Sequence, residues 1–273
     1  MPEGPEIRIA ADKIAKAIAN RPIAEIFFAF EHLKPYEEIL SQQIITGVDT
    51  KGKGMLIRFD NGLSIYSHNQ LYGKWMVKPA FNYPETKRQL RLAIHNEQKS
   101  ALLYSASDIA VLDQEEIAIH PFLSRLGLDV LDPQTTTRKV KSRLLNRSFQ
   151  RRRFTSLLLD QGFLAGLGNY LRSEILFVAR IHPTLRPMDC SSVQISALAK
   201  AALKVPQQSY QTKGITNDLQ LVKKLKANGY RRRDYRHWVF GREERPCYIC
   251  GTAIIKEVSG GRRYYFCPHC QAK

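Results

Sequence analysis

The first residues of the chain, Pro2-Glu3-Gly4-Pro5-Glu6, bring together an amine and carboxylic acids that could serve the same reaction. If the initiator Met1 is removed, Pro2 carries a free secondary amine, which can attack an aldehydic carbon and form an iminium. An α-amino group titrates near pH ~8 and a lysine near pH ~10.4, so the terminal amine holds far more reactive free base at neutral pH. The alternative interpretation is a frayed, solvated chain start, for which Pro and Gly are also typical.

The residues that follow predict a helix that anchors this terminus. Ile7, Ala10, Ile14 and Ile18 recur at helical spacing, and Pro5 suits the first turn of a helix. Charged residues occupy the other side, namely Arg8, Asp12, Lys13 and Lys16. We therefore expect the amine to be held in place.

Four cysteines near the other end of the chain have the spacing of a metal site. Cys247 and Cys250, then Cys267 and Cys270, form two C-x-x-C pairs separated by 16 residues. Four thiolates complete the tetrahedral shell of structural zinc, whereas two disulfides or a rubredoxin-like iron site are the alternatives. We predict one structural zinc per chain, without an open coordination position for chemistry. The fifth cysteine, Cys190, is expected to be a small core residue.

Three glycine-containing segments could meet a ligand. The turn 165–169 places Asn169 where a helix N-cap is expected, and helix N-termini bind phosphate, although a simple cap explains it equally well. Lys51-Gly52-Lys53-Gly54 predicts a turn whose glycines let the backbone come close to a ligand and whose lysines supply positive charge. The alternative is a solvated basic turn without a ligand. Gln70-Leu71-Tyr72, which precedes Gly73, could wedge into a base stack, but such residues are more often core residues.

Composition narrows the class of protein and of partner. The 273 residues are 44% hydrophobic and 25% charged, which is typical of a globular protein with a buried core. With 42 Lys and Arg against 25 Asp and Glu, the net charge of +17 indicates a polyanionic partner, by default nucleic acid. No secretory signal or long apolar segment is evident, so we expect a cytoplasmic protein without a membrane span.

The elements that must position these groups differ between the two halves. Closely spaced strands predict a β-sandwich or barrel with the first helix packed on it; they are residues 23–30, 44–49, 55–59, 63–67, 74–78, 90–95 and 101–105. Asp60-Asn61-Gly62 predicts a hairpin with a two-residue Asn-Gly turn. From about residue 131 the pattern is helical, over residues 137–146, 155–163, 170–179 and 193–203.

Changes in pattern along the chain suggest four parts. The period switches near 129–133, where a proline interrupts, and residues 206–246 are polar and very basic, which is typical of solvated or phosphate-facing loops. We expect an N-terminal β-sandwich catalytic domain (1–128), a helical DNA-binding domain (129–215), a basic linker (216–240) and a zinc finger (241–273).

Taken together, these motifs resemble one protein family. The terminal Pro-Glu-Gly-Pro-Glu, the Lys-Gly-Lys turn, the Gln-Leu-Tyr loop, the Gly-Leu-Gly-Asn turn and the four-cysteine end are similar, in order and over nearly the whole chain, to the endonuclease VIII branch of the helix-two-turn-helix DNA glycosylases. The other bacterial branch of that family is formamidopyrimidine-DNA glycosylase. The resemblance implies that a helical helix-two-turn-helix domain and a C-terminal zinc hairpin follow the N-terminal β-sandwich. The helix-two-turn-helix and the zinc hairpin together would hold a bent duplex.

The resemblance also implies a role for each matching residue. Pro2 would be the nucleophile at the sugar C1′, Glu3 the general acid with Glu6 in support, and Lys53 would assist the first elimination and hold phosphate. Arg262, five residues before Cys267, would contact phosphate and assist the second elimination. The neighbouring Arg263 is the alternative phosphate contact, but the spacing to Cys267 favours Arg262. The DNA contacts would be Asn169, Arg125 and the loop residues Gln70, Leu71 and Tyr72, which replace the stacking of the flipped nucleotide.

The implied function is base-excision repair. The chain would be a bifunctional glycosylase and abasic-site lyase, with a Schiff-base intermediate, that removes oxidised pyrimidines and cuts the strand by β,δ-elimination. Its partner would be double-stranded DNA with oxidised bases or abasic sites, bound by a monomer in the bacterial cytoplasm and associated with the nucleoid. The alternatives are a purine-directed glycosylase of the formamidopyrimidine type and a non-catalytic zinc-ribbon DNA-binding protein.

Overall fold

The computed structural model describes residues 2–273, and the chain divides into two compact units. Unit 1 comprises Pro2 and Glu6–Arg125, and unit 2 comprises Glu3–Pro5 and Leu126–Lys273. Among the helices in the described part of the chain, none combines the length and the apolar character that crossing a membrane requires.

Unit 1 is built mainly from strands. Its strands, in chain order, are β1 (Glu25–Phe28), β2 (Ile45–Lys51), β3 (Gly54–Phe59), β4 (Ser64–His68), β5 (Lys74–Pro79), β6 (Leu90–His95), β7 (Lys99–Tyr104) and β8 (Asp108–Leu112). They form two antiparallel sheets, ordered β1-β6-β7-β5 and β2-β3-β4-β8. The seven predicted strands are confirmed, and β8 is an additional strand that the sequence pattern did not reveal.

The two sheets of unit 1 enclose a common core. Apolar side chains from both sheets, such as Phe28 and Ile57, belong to one buried cluster. The apolar face of helix α1 (Gly4–Ile18) contributes to the same cluster, through Ile7, Ala11, Ile14 and Ile18. The predicted β-sandwich with a packed N-terminal helix is thus confirmed. Short helices α2 (Pro35–Leu40) and α3 (Gln114–Ile119) complete the unit.

The turn between β3 and β4 differs from the predicted two-residue turn. The backbone N–H of Gly62 donates to Phe59 O, and the N–H of Phe59 donates to Leu63 O, so three residues form the loop. Only Gly62 of this loop has a positive φ, of 87°. The loop is therefore a type I turn followed by a left-handed glycine, the usual three-residue alternative to the predicted turn.

Unit 2 is mainly helical. Its helices are α4 (Thr137–Leu145), α5 (Phe154–Leu157), α6 (Asn169–Val178), α7 (Ser192–Gln211), α8 (Leu219–Ala227) and α9 (Arg232–Tyr235). The strands β9 (Leu128–Asp129) and β10 (Leu164–Ala165) form a short parallel pair. The predicted helix over 155–163 is wrong in extent, because the chain turns after Leu157: the N–H of Asp160 donates to Leu157 O, and the carboxylate of Asp160 accepts from Gly162 N.

The basic segment 216–240, which we expect to be a linker, contains α8 and α9. The carboxylate of Asp218 caps α8 by accepting from Leu221 N at 2.8 Å. Val222 and Leu225, one helical turn apart, are buried together with Ile215 and Tyr235. The lysines of α8 remain exposed, so the segment is amphipathic and forms a small core of its own.

The C-terminal part of unit 2 is a two-stranded hairpin. Strands β11 (Ile255–Ser259) and β12 (Arg262–Phe266) pair antiparallel, as predicted from the segment between the cysteine pairs. Cys190 lies elsewhere, packed at the edge of the helical core, and burial raises the pKa of its thiol to about 11. The predicted combination of β-sandwich, helical domain and zinc hairpin is confirmed.

Candidate active site and zinc centre

The candidate acid Glu3 is buried at the start of a helix. Its side chain is 3% exposed, and it directly follows Pro2, which is half-buried. The carboxylate accepts hydrogen bonds from the backbone N–H of Tyr170 at 2.9 Å and of Leu171 at 3.2 Å. Both donors are first-turn N–H groups of α6 that no helical carbonyl can satisfy, and the helix dipole favours an anion there. The N-terminus of α6 therefore fixes the orientation of the Glu3 carboxylate.

The backbone beside Glu3 is held against the same turn. The N–H of Gly4 donates to Gly166 O at 2.8 Å. A Cβ on Gly4 would lie 3.1 Å from Gly166 Cα, which is a tight contact. The segment that carries the candidate acid is thus anchored both by its side chain and by its main chain, in agreement with the expectation of an anchored terminus.

Gly168 makes room for the carboxylate. A Cβ at this position would lie 2.4 Å from both Cδ and Oε1 of Glu3, a distance that real Cβ atoms do not reach. Gly168 occupies the N-cap of α6, and Asn169 is the first residue of the helix. The prediction of Asn169 as the N-cap is therefore wrong, because the carboxylate of Glu3 supplies the cap that a side chain at 169 was expected to supply.

Asn169 lies at the same helix terminus and has a buried amide oxygen. Its residue is half-buried, and within the part of the chain that the structure describes its Oδ1 has no hydrogen-bond partner. The adjacent residue, Tyr170, donates its N–H to Glu3. The structure thus brings Glu3 and Asn169 to one helix terminus, where the positive end of the helix dipole favours an anion.

Three consecutive polar residues of α6, Arg172, Ser173 and Glu174, are fully buried, and sequence reasoning missed all of them. The Arg172 guanidinium donates to the carbonyl of Thr155 and, at 2.7 Å, to the carbonyl of Arg263. It also lies over the Tyr264 ring, 5.6 Å from its centroid. A run of polar residues inside an otherwise apolar helix was the available signal.

Arg172 and Ser173 together attach α6 to the hairpin. The Ser173 hydroxyl accepts from the N–H of Tyr265 at 3.2 Å, two residues from the carbonyl that Arg172 holds. Burial lowers the pKa of Arg172 to about 10, a shift that Glu3 and Tyr264 oppose, so the guanidinium is still charged at neutral pH. The candidate phosphate ligand Arg262 is exposed at the start of β12, directly before this attachment.

Glu174 fastens the basic segment to the same helix. Its carboxylate accepts from the backbone N–H groups of Trp238, Val239 and Phe240, at 2.8, 2.9 and 2.9 Å. The hydroxyl of Thr216 is a fourth donor. Burial raises the pKa of Glu174, and these four hydrogen bonds act in the opposite direction. Residues 216 and 238–240 bracket α8 and α9, so one carboxylate holds both ends of the basic segment.

The candidate lysine of unit 1 lies on a tight turn. Lys53 is half-buried in the turn between β2 and β3, next to the buried Gly54. Its charge reaches His68 on β4: burial lowers the pKa of His68, the Lys53 ammonium lowers it further, and Asp108 opposes both. The neighbouring Tyr66 hydroxyl, whose pKa is raised by burial and by Asp108, completes this polar cluster.

The remaining candidates are surface residues. Leu71 and Tyr72 are 57% and 71% exposed, so they are not the core residues that composition alone favours. Arg125 is exposed at the end of a single helical turn after α3. Glu6 is half-buried in the first turn of α1.

The four predicted cysteine ligands converge on one point. Their sulfur atoms all lie within 4.8 Å of one another. The Sγ atoms of Cys247 and Cys270 are 3.9 Å apart, and Cys250 Sγ is 3.4 Å from Cys267 and 3.6 Å from Cys270. A tetrahedron with Zn–S bonds of ~2.3 Å needs S···S separations of about 3.8 Å, whereas disulfides need ~2.05 Å. The site fits one structural zinc and excludes the disulfide alternative for this arrangement.

Comparison with family models covers most of the chain. Residues 1–107 match the formamidopyrimidine-DNA glycosylase N-terminal domain, and residues 126–220 match the formamidopyrimidine-DNA glycosylase H2TH domain. Residues 245–273 match a zinc finger found in FPG and IleRS, which agrees with the sulfur geometry.

Whole-chain relatives agree with these models. The chain is 46% identical over 271 residues to "Endonuclease 8" of Salmonella paratyphi A and of Salmonella agona, covering 99% of this chain and 100% of each relative. Among solved structures, it is similar to the Lactococcus lactis Fpg in complex with an abasic site containing DNA (TM-score 0.82, 20% identity, 99% and 100% of the chains covered). It is likewise similar to MutM in complex with carbocyclic 8-oxo-G containing DNA (TM-score 0.81, 20% identity, both chains fully covered).

Proposed function

Because the chain belongs to the DNA glycosylase family of formamidopyrimidine-DNA glycosylase and endonuclease VIII, we propose that it removes oxidised pyrimidines from duplex DNA and then cleaves the strand by β,δ-elimination. Its relatives make it a DNA glycosylase with abasic-site lyase activity in base-excision repair. The observation that carries the mechanism is the carboxylate of Glu3, which α6 fixes directly after Pro2.

The first chemical step joins Pro2 to the sugar. The neutral secondary amine of Pro2 attacks C1′ of a flipped nucleotide, the bond from C1′ to the base breaks, and the amine proton leaves with the base. The C1′–O4′ bond then opens, O4′ takes a proton from Glu3, and a cationic iminium remains on the nitrogen. Two backbone N–H donors fix the orientation of the Glu3 carboxyl group, and from this position it would donate the proton.

The elimination steps follow from the iminium, which acidifies C2′. Loss of a C2′ proton expels the 3′ phosphate, and a second elimination expels the 5′ phosphate, so that hydrolysis of the remaining iminium returns free Pro2. We assign the phosphate contacts to Lys53 for the first elimination and to Arg262 for the second. Both are basic residues on turns or strand ends, where a phosphate can approach.

Further residues would contact the DNA outside the reacting sugar. Asn169, with its amide at the N-terminus of α6, would hold a phosphate next to the reacting sugar. The exposed Leu71 and Tyr72, with Gln70, would fill the gap that the flipped nucleotide leaves, where stacking contributes ~1–3 kcal/mol per base. Arg125 would add a backbone contact, and Glu6 would support Glu3.

The zinc contributes structure to this reaction. Cys247, Cys250, Cys267 and Cys270 would hold it in a closed four-sulfur shell, which leaves no position for substrate. A zinc held by these cysteines would join the two ends of the hairpin and so give the strand that carries Arg262 a defined position. A duplex substrate and a monomeric enzyme are consistent with one such site per chain.

Borohydride trapping tests the nucleophile. Reduction of the iminium in the presence of damaged duplex should give a covalent protein–DNA adduct, which peptide mapping by mass spectrometry should locate at Pro2. Protein that retains Met1 is the matched control, because its Pro2 nitrogen is an amide and should form no adduct while DNA binding persists. An adduct at a lysine would overturn the mechanism, and a non-catalytic zinc-ribbon protein would give none.

Lesion choice needs a separate comparison. Excision from a thymine-glycol duplex should exceed excision from an oxidised-guanine duplex of the same sequence. The preference rests on the Gln70-Leu71-Tyr72 loop and on 46% identity to "Endonuclease 8" proteins. Faster release of oxidised guanine would instead assign the chain to the purine-directed activity.

A further inference from the structure

The segment Asn69–Gly73, here called the wedge loop, presents two side chains to solvent from a constrained backbone. Leu71 and Tyr72 are more than half exposed, while Gln70 has a φ of 47°. The left-handed region is unfavourable for a residue with a Cβ, so Gln70 needs contacts that hold it there. The N–H of Gly73 closes the loop by donating to Asn69 O at 2.7 Å.

Two groups hold the first half of the wedge loop. The backbone N–H of Gln70 donates to Nδ1 of His68 at 3.1 Å. The hydroxyl of Ser107, from the connection between β7 and β8, donates to Oε1 of the Gln70 side chain at 2.8 Å. The main chain of Gln70 is therefore fixed by His68 at the end of β4, and its side chain by Ser107 just before β8.

A basic side chain holds the second half. Nη1 of Arg88, which lies in the connection between β5 and β6, donates to the carbonyl oxygen of Tyr72 at 2.6 Å. A charged donor to a backbone carbonyl is among the stronger hydrogen bonds of an exposed site. The wedge loop is thus held at both ends while Leu71 and Tyr72 project outward.

We propose that Arg88 and Ser107 are positioning residues that preorganise the wedge loop for insertion into the base stack. The proposal rests on the proposed function, in which Leu71 and Tyr72 occupy the gap left by the flipped nucleotide. A loop that is already ordered pays little conformational entropy when it inserts. Neither residue reacts with the sugar, so both act only through the loop.

The test compares substrates that do and do not require a wedge. Arg88→Ala should lower kcat/KM about tenfold, equivalent to ~1.4 kcal/mol, for thymine glycol in a fully paired duplex. For the same lesion inside a bubble of unpaired bases, where little stacking is lost on flipping, the rate should stay within about twofold. Fluorescence of 2-aminopurine placed beside the lesion should show slower opening in the paired duplex only.

Matched variants separate positioning from charge. Lys87→Ala removes the same charge from the adjacent exposed position and should leave both rates unchanged. Arg88→Lys should restore most of the paired-duplex rate, because an ammonium can also donate to the Tyr72 carbonyl. Ser107→Ala should reproduce the selective loss by freeing the Gln70 side chain.

Other outcomes would overturn the proposal. Equal rates for Arg88→Ala and wild type on paired duplex would show that the wedge loop needs no clamp. Equal losses on duplex and bubble would make Arg88 a general phosphate ligand. Absence of excision from either substrate by wild-type protein would instead overturn the proposed function itself, and the positioning role with it.

Discussion

The Glu3 carboxylate occupies the space that a Cβ at position 168 would fill, so the two cannot be present together. The missing side chain at 168 is what allows the Glu3 carboxylate to reach the first N–H groups of α6. The glycine is therefore required by a residue 165 positions earlier in the sequence, and the helix N-terminus gains an anionic cap from outside the helix.

Gly168→Ala should reduce glycosylase activity at least ~100-fold, the cost of displacing a catalytic group by about 1 Å. The new methyl would overlap Cδ of Glu3. Initial rates on damaged duplex provide the measurement. Gly47→Ala is the control, since a Cβ there meets no atom within 4 Å; similar losses in both variants would contradict the argument.

Arg172→Ala should lower the free energy of unfolding of unit 2 by about 3 kcal/mol, because two buried carbonyls lose a charged donor. Denaturant unfolding followed by circular dichroism provides the measurement. Arg138→Ala, on the exposed side of α4, should change it by less than ~0.5 kcal/mol. A loss at position 172 no larger than that of the control would show that the attachment of α6 to β12 is unimportant.

Glu174→Gln should destabilise unit 2 by about 2 kcal/mol, since the amide nitrogen would face backbone N–H donors in place of an acceptor oxygen. Amide hydrogen exchange should become faster at residues 238–240 in particular. Exchange that remains slow there would mean that the segment is held independently of the carboxylate. Gln220→Ala, an exposed substitution on α8, is the control.

His95 should make the stability of unit 1 depend on pH. Neutral His95 lies buried between the Tyr83 hydroxyl, 2.8 Å from Nε2, and the Ser100 hydroxyl, 2.6 Å from Nδ1. Burial lowers the pKa of His95 below its usual 6.5, and the Glu25 carboxylate only partly opposes this. Unfolding therefore lets His95 take up a proton below pH 6.5. The free energy of unfolding of unit 1 should accordingly fall as the pH drops below 6.5, by at most ~1.4 kcal/mol per pH unit for this one proton.

Thermal unfolding between pH 7 and 5 measures this contribution. His95→Gln should reduce the slope of the free energy of unfolding against pH, at the cost of lower stability throughout. Identical slopes for His95→Gln and wild type would rule out the buried imidazole as the cause.

Removal of zinc should unfold the hairpin and release four reactive thiols. The metal contributes folding free energy in closed four-cysteine sites, so chelation should abolish duplex binding while the β-sandwich of unit 1 stays folded. Thiol titration and metal analysis together should give one zinc for Cys247, Cys250, Cys267 and Cys270. Full DNA affinity of the metal-free protein would contradict this role of the hairpin.

Local patterns were enough to predict much of the architecture. Alternation of apolar residues predicted the strands of the sandwich, and the spacing of Ile7, Ile14 and Ile18 predicted the buried face of α1. The C-x-x-C pairs predicted a four-sulfur site that the Sγ distances support. The residues of each strand and of the buried face of α1 are close in sequence, and pairs of cysteines two residues apart have few functions other than metal binding.

The basic segment was harder to interpret because its charge obscured its core. Lysines and arginines outnumber acidic residues seven to two in the basic segment 216–240. Val222, Leu225 and Tyr235 are nevertheless buried, and Glu174 binds the far end of the segment. Neither a short amphipathic helix nor a distant carboxylate is evident from local composition.

What the sequence by itself determined is the set of reactive groups and the periodic elements, since the amine of Pro2, the thiols and the apolar repeats depend on residue type and spacing. Only the tertiary structure decided that Glu3 caps α6, that Arg172 and Glu174 hold distant backbones, and that Arg88 holds the wedge loop. These contacts join residues far apart in the chain. Their free energy comes from satisfying buried or strained polar groups, which no local pattern encodes.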